Sequence, residues 1–214
     1  MDTAALEFTR RSLHAVAELL LAGPQYRTSG TIRLRVVPGG FATVAEPALA
    51  VHGTDLVAGE RRLSLRGASC AALAGELGIE AGPPTGLYSD GSGAGAQEGL
   101  ALDPDATEHL LARFAAGDAA LRRFAPDQEP VLWPEHFDLG ITVDAVNYGV
   151  SPGDSHSPTP YAYVGPWTRR EGAFWNAPFG ATLPMDGPAD AEAVQAFFTD
   201  GRRRAALDPP AAQA

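Results

Sequence analysis

The sequence predicts an α+β fold, a mainly antiparallel sheet covered by helices on one face, with a loop-rich, aromatic C-terminal half. Three observations predict it. Short runs of alternating apolar and polar residues, joined by glycine-containing turns, crowd into residues 31–65. Helical-period stripes stand in separate blocks rather than alternating strictly with the strands, which argues against a doubly wound sheet. All three tryptophans fall between residues 133 and 175, in a window rich in Pro and Gly.

Taken in order, residues 9–22 predict a helix capped by Thr9. Leu13, Val16 and Leu20 lie on one stripe, and Gly23-Pro24 ends it. Thr31 to Val36 alternates strictly, which puts Ile32, Leu34 and Val36 on a core face and Arg33 and Arg35 outside. Pro38-Gly39-Gly40 turns into a strand at 41–44, and 48–51 and 63–65 complete a meander. Ser69 caps a short helix ending at Gly78. Residues 80–101 hold the densest Gly, Pro and Ser run and predict a flexible loop. Asp103-Pro104 opens a helix to residue 124, with cap and first-turn proline in the preferred order. Its stripe is Leu110, Leu111, Phe114, Leu121 and Phe124. Residues 137–148 read as one long strand, about 189–207 as a last helix anchored by Phe197 and Phe198, and 209–214 as a frayed tail. A single domain over 1–208 is expected from the length.

The composition narrows the function classes. A formal net charge of −10 repels phosphate backbones and anionic lipid, so neither nucleic acid nor a membrane surface is expected as a partner. All 16 basic residues are arginine, which removes Schiff-base chemistry, a lysine general base and a Walker-type phosphate loop. The single Cys70 can form neither an intramolecular disulfide nor a cysteine zinc site, and among alanines it suits a small buried hydrophobe. Charges in the first residues, and no apolar run near the ~18 residues of a spanning helix, predict a soluble, cytoplasmic protein.

The chemistry is expected between residues 133 and 179. Trp133, Tyr148, Tyr161, Tyr163, Trp167 and Trp175 are interleaved there with Asn176, acids and imidazoles, whereas core strands are rich in Val, Ile and Leu. Polar-tipped aromatics on loops are the usual lining of a small-ligand pocket, so a small molecule is the expected partner. Two i, i+2 pairs, His136 with Asp138 and Asp154 with His156, each present an imidazole and a carboxylate to one side. If they converge, they supply two nitrogens and two oxygens for a metal, or a general acid/base set. A display of aromatics to a protein partner is the third reading. Elsewhere, His14 reads as a satisfied, partly buried histidine. Gly91-Ser92-Gly93-Ala94-Gly95 lacks the strand and helix that a phosphate loop requires, and Arg202-Arg203-Arg204 complements a helix dipole.

Four blocks in this window, residues 131–138 (VLWPEHFD), 151–154 (SPGD), 160–167 (PYAYVGPW) and 174–180 (FWNAPFG), carry a resemblance. With residues 9–14 and the helix from Asp103 to Phe124, they resemble an uncharacterised family of actinobacterial proteins, a domain of unknown function. The resemblance implies that the blocks work as a unit and brings no catalytic roles with it. More loosely, the meander and Ser-capped helix of residues 30–78 are similar in pattern to sterol-carrier-like folds, which implies an apolar ligand under a sheet.

Overall fold

The computed structural model describes residues 2–211. Where the sequence predicts one domain, contacts group the chain into two compact units. The first contains 2–115 and 131–138, the second 116–130 and 139–211. Within each unit every strand pairing is antiparallel, in keeping with the predicted α+β class.

In the first unit α1 (Thr3–Ala15) starts earlier than predicted, because Asp2 rather than Thr9 caps it, its carboxylate accepting from the Ala4 N–H at 3.0 Å. Gly23-Pro24 does not end the helix. The chain widens into a π-helical segment, Val16–Ala22, and re-tightens as α2 (Gly23–Ser29), with Pro24 in its first turn. The reason lies in the hydrogen bonds. The Gly23 N–H donates to the Glu18 carbonyl, five residues back, and Pro24 has no N–H to offer. The Leu19 carbonyl, thereby free, accepts the Gly82 N–H at 2.9 Å. Gly30, at φ 71°, closes α2 in the left-handed region.

The strands of this unit lie in the order β6-β1-β2-β3-β4-β5, with β1 Leu34–Val37, β2 Gly40–Thr43, β3 Ala50–His52, β4 Asp55–Ala58, β5 Arg61–Ser64 and β6 Val131–Trp133. The predicted meander is present, shifted by a few residues, with β4 and β6 in addition. Gln25, fully buried, ties α2 to it. Its amide donates to the Thr31 and Arg33 carbonyls and accepts from the Val44 and Ala45 N–H groups, so all four bonds are made. Helix α3 (Cys70–Leu77) has the predicted Ser69 cap and Gly78 stop. Phe41, Phe114 and His14 all pack on Phe137, with centroid distances of 5.2–5.6 Å.

Helix α4 (Pro104–Phe124) spans the predicted range and is capped by Asp103, which accepts from the Ala106 N–H at 2.9 Å. In the second unit the order is β10-β9-β8-β7, with β7 Asp138–Val143, β8 Val146–Ser151, β9 Tyr161–Pro166 and β10 Ala181–Pro184. The predicted single strand over 137–148 is therefore a hairpin. Asp144 and Ala145 both take positive φ, 53° and 59°, and turn the chain without the Asn-Gly or Asp-Gly pair that marks such turns in a sequence. Helix α5 (Ala191–Leu207), capped by Asp190, packs on the face carrying Tyr148, Val150 and Val164. The start of the predicted frayed tail is tied down, since the Ala211 N–H donates to the Arg169 carbonyl at 2.8 Å; residues 212–214 lie outside the described ones. Among the described residues no helix is long and apolar enough to cross a membrane.

Candidate functional site

Strand alternation divides the aromatic window of the second unit between two faces. Cross-strand partners share a face, and the register pairs Gly140 with Gly149 and Gly149 with Tyr163. Gly140, Thr142, Asn147, Gly149, Ser151, Tyr161, Tyr163 and Thr182 therefore lie on the face opposite α5. Tyr148, one residue out of phase, faces the helix.

Three features define the face opposite α5. At its middle the Tyr163 ring lies over two glycines, where a Cβ on Gly149 would come within 2.4 Å of its hydroxyl and one on Gly140 within 2.9 Å. On the side of the β7–β8 turn stands Trp167, 70% exposed. Its indole N–H donates to the Asn147 side-chain oxygen at 3.2 Å, and the same oxygen accepts the Thr142 hydroxyl at 2.8 Å. The ring is thus exposed and held in one direction. At the far end of β9, Tyr161, His156 and Phe179 meet edge-on or tilted, with centroids 5.0–6.4 Å apart. Tyr161 is buried, while His156 and Phe179 are exposed.

Asp154 organises this end. It accepts the Tyr161 hydroxyl at 2.5 Å and the His156 and Ser157 N–H groups at 2.8 and 3.2 Å. Desolvation raises its pKa, but these bonds together outweigh it and hold the carboxyl below its ordinary 3.8. A folded pKa below the unfolded one gives stability that is full above about 3.8 and is lost as pH falls through the lowered value. In acid titrations followed by circular dichroism, Asp154→Asn should therefore be less stable than wild type at neutral pH, and the gap should close below pH 3.8. A gap independent of pH would mean that the charge is not what the bonds hold.

The other predicted residues serve different ends. Tyr148 is fully buried against Phe124 and Phe198, so it is core rather than ligand-binding. Burial pushes its phenol up to about 12, and its hydroxyl has no hydrogen-bond partner among the described residues. Tyr148→Phe should accordingly leave stability unchanged or raise it by up to about 1 kcal/mol, measured by chemical denaturation; a large loss would reveal a partner for the hydroxyl. Trp175 donates to Asp208 at 2.9 Å and meets Phe174, which packs tilted against Phe197 of α5, so its ring belongs to the helix side. Asn176 uses its amide to pair with Thr182 at the sheet edge, through both the Thr182 N–H at 2.8 Å and its carbonyl at 3.1 Å.

Trp133, His136 and Asp138 belong to the first unit. Arg33 lies over the Trp133 ring at 5.9 Å, and His136 is 62% exposed with Glu135 at 3.9 Å. Among the described residues no three or more His, Cys, Asp or Glu side chains gather as a metal site requires. The reading of His14 holds: its Nε2 is 2.8 Å from the Pro134 carbonyl, and burial lowers its pKa against the opposing pull of that carbonyl and of Glu18. Cys70 is buried and its thiol pushed up to about 12, which suits a packing role.

The residue that pattern reading missed is Glu18, 4% exposed in the π segment. One carboxylate oxygen accepts the Ser92 N–H at 2.8 Å and the Ser92 hydroxyl at 2.5 Å. The Tyr88 hydroxyl is buried near it, close enough for the carboxylate to raise the phenol pKa further after burial has done so. An acid alone in the apolar run from Val16 to Ala22 was the available signal. It also bears on the Gly91–Gly95 run: a carboxylate sits against Gly91, where a phosphate loop would hold an anion.

No protein-family model matches this chain, and no curated protein or solved structure matches it.

Proposed function

We propose that the protein binds a small, ring-bearing molecule on the sheet face opposite α5, between Trp167 and the His156–Phe179 end. The observation that carries this reading is the pairing of Trp167's 70% exposure with an indole N–H fixed on Asn147. A ring that served only to seal the sheet would be covered. A ring that is exposed yet held in one direction is ready to stack without losing further freedom. Tyr163, its hydroxyl end against Gly140 and Gly149, extends the platform, and Thr142 and Asn147 supply polar edges. Non-covalent binding requires none of the predicted catalytic roles of His136, Asp138, Asp154 and His156. In this reading Asp154 is a positioning group that holds Tyr161.

The test is a titration of indole, adenosine and methyl glucoside followed by tryptophan emission. At least one should give a saturable change that Trp167→Ala abolishes and Tyr148→Phe leaves intact. Saturable binding that survives Trp167→Ala, or no saturable response to any of the three, would overturn the proposal.

A further inference from the structure

A separate hollow of about 290 Å³ lies in the second unit, on the α5 side of the β7–β8 turn, and bears on a different ligand chemistry. Its walls include Ala145, Val146, Pro166 and Ala205, and its polar groups are Thr168, Arg170, Arg202 and Asp144. The arginines differ in how far they are committed. Arg203 and Arg204 both bind Asp200, at 2.6 and 2.7 Å. Arg202 places its Nε and one Nη on a single Asp144 oxygen, at 3.0 and 2.6 Å. Arg170 spends only its Nε, on the Ala205 carbonyl at 2.9 Å, and its two terminal nitrogens have no protein partner among the described residues. Its backbone is fixed as well. Arg170 bridges to Pro210, and the residues on either side bond to Pro209 and Ala211.

An oriented guanidinium fork with both terminal nitrogens open, in a hollow with apolar walls, matches a planar or tetrahedral oxyanion. The bond to Ala205 also removes one carbonyl from the negative end of α5, which would otherwise oppose an anion there. We propose that this hollow binds the carboxylate or phosphate of a small organic acid. Arg170 takes two of its oxygens, the Thr168 hydroxyl donates to it, and Ala145, Val146 and Pro166 meet its apolar body. The volume is at the lower end of small-molecule sites, so the ligand is small. Asp144 is the built-in competitor: it neutralises Arg202 and sets a negative charge at the rim.

That competitor gives the experiment its direction. Benzoate and inorganic phosphate are titrated separately, at constant ionic strength with chloride as the control, and thermal stability and calorimetric heat are recorded. At least one should saturate in wild type where chloride does not; benzoate alone would assign a carboxylate, phosphate alone a phosphate ester. Arg170→Lys, which keeps the charge and loses the fork, should weaken binding at least tenfold. Asp144→Asn keeps a residue that tolerates positive φ and removes the competing charge, so it should tighten binding severalfold. Should Arg170→Lys fail to fold, the Asp144→Asn result decides alone. Unchanged or weaker affinity in Asp144→Asn, equal binding by Arg170→Lys and wild type, or a response that chloride reproduces would overturn the proposal.

Discussion

Gly23→Ala should be among the most damaging single substitutions in the chain, lowering stability by about 3 kcal/mol or more in urea denaturation. A Cβ at this position would stand 1.7 Å from the Gly82 carbonyl oxygen and 3.2 Å from that of Glu18. Both neighbours are backbone, so no rotamer change relieves the overlap, and the 80–101 segment must lift away from the π helix. With it would go the Gly82 N–H bond to Leu19, and the Glu18–Ser92 pair would be strained. In an ordinary helix the change would be favourable by roughly 1 kcal/mol, so the sign itself is the test. A stabilised Gly23→Ala protein would mean that the segment does not sit on the helix in solution. The predicted loop thus has anchors along its length, at Leu19, Glu18, Ala71 through Ala96, and Arg11 through Glu98.

Gly149→Ala should be nearly as costly, about 2–4 kcal/mol, and should also disturb the proposed binding face. The added carbon would lie 2.3 Å from the Leu139 carbonyl oxygen and 2.4–2.5 Å from the Tyr163 hydroxyl and ring. The ring can swing aside, but the carbonyl belongs to the paired strand. Combining Gly149→Ala with Tyr163→Ala separates the two contributions. If ring displacement dominates, the double variant should be little worse than Tyr163→Ala alone; if the strand clash dominates, the costs should add. Additive costs would reduce Tyr163's part in forbidding a side chain at 149.

Much of the fold was legible because its signals are local. Ser69, Asp103 and Gly78 cap helices through their own side chain or backbone freedom, which any surroundings would preserve. Two of the misreadings share one cause, a tertiary contact that supersedes a local rule. Gly23-Pro24 is ordinarily a stop, yet a π turn absorbs the proline because a distant N–H, that of Gly82, takes the carbonyl left open. Asp144-Ala145 turns a hairpin without glycine, where Asp144 is held by Arg202 of α5. The site was half legible. Tyr161 and Tyr163, two apart, were bound to share a face once they formed a strand. Tyr148, counted among the pocket aromatics, turned inward because its phase depends on a turn that the sequence did not mark. Trp175 and Asn176 carry the chemistry of a pocket and spend it on Asp208 and Thr182.

The central claim is that the face opposite α5 takes a small ring-bearing molecule, and amide chemical-shift mapping tests it most directly. With indole, adenosine or methyl glucoside added to the labelled protein, the account predicts saturable shifts at Asn147, Gly149, Tyr163, Gly165 and Trp167. The helix-facing Tyr148, Val150 and Val164 should move little. Shifts confined to α5 or to the first unit, or no saturable shift on this face with any of the three, would contradict it.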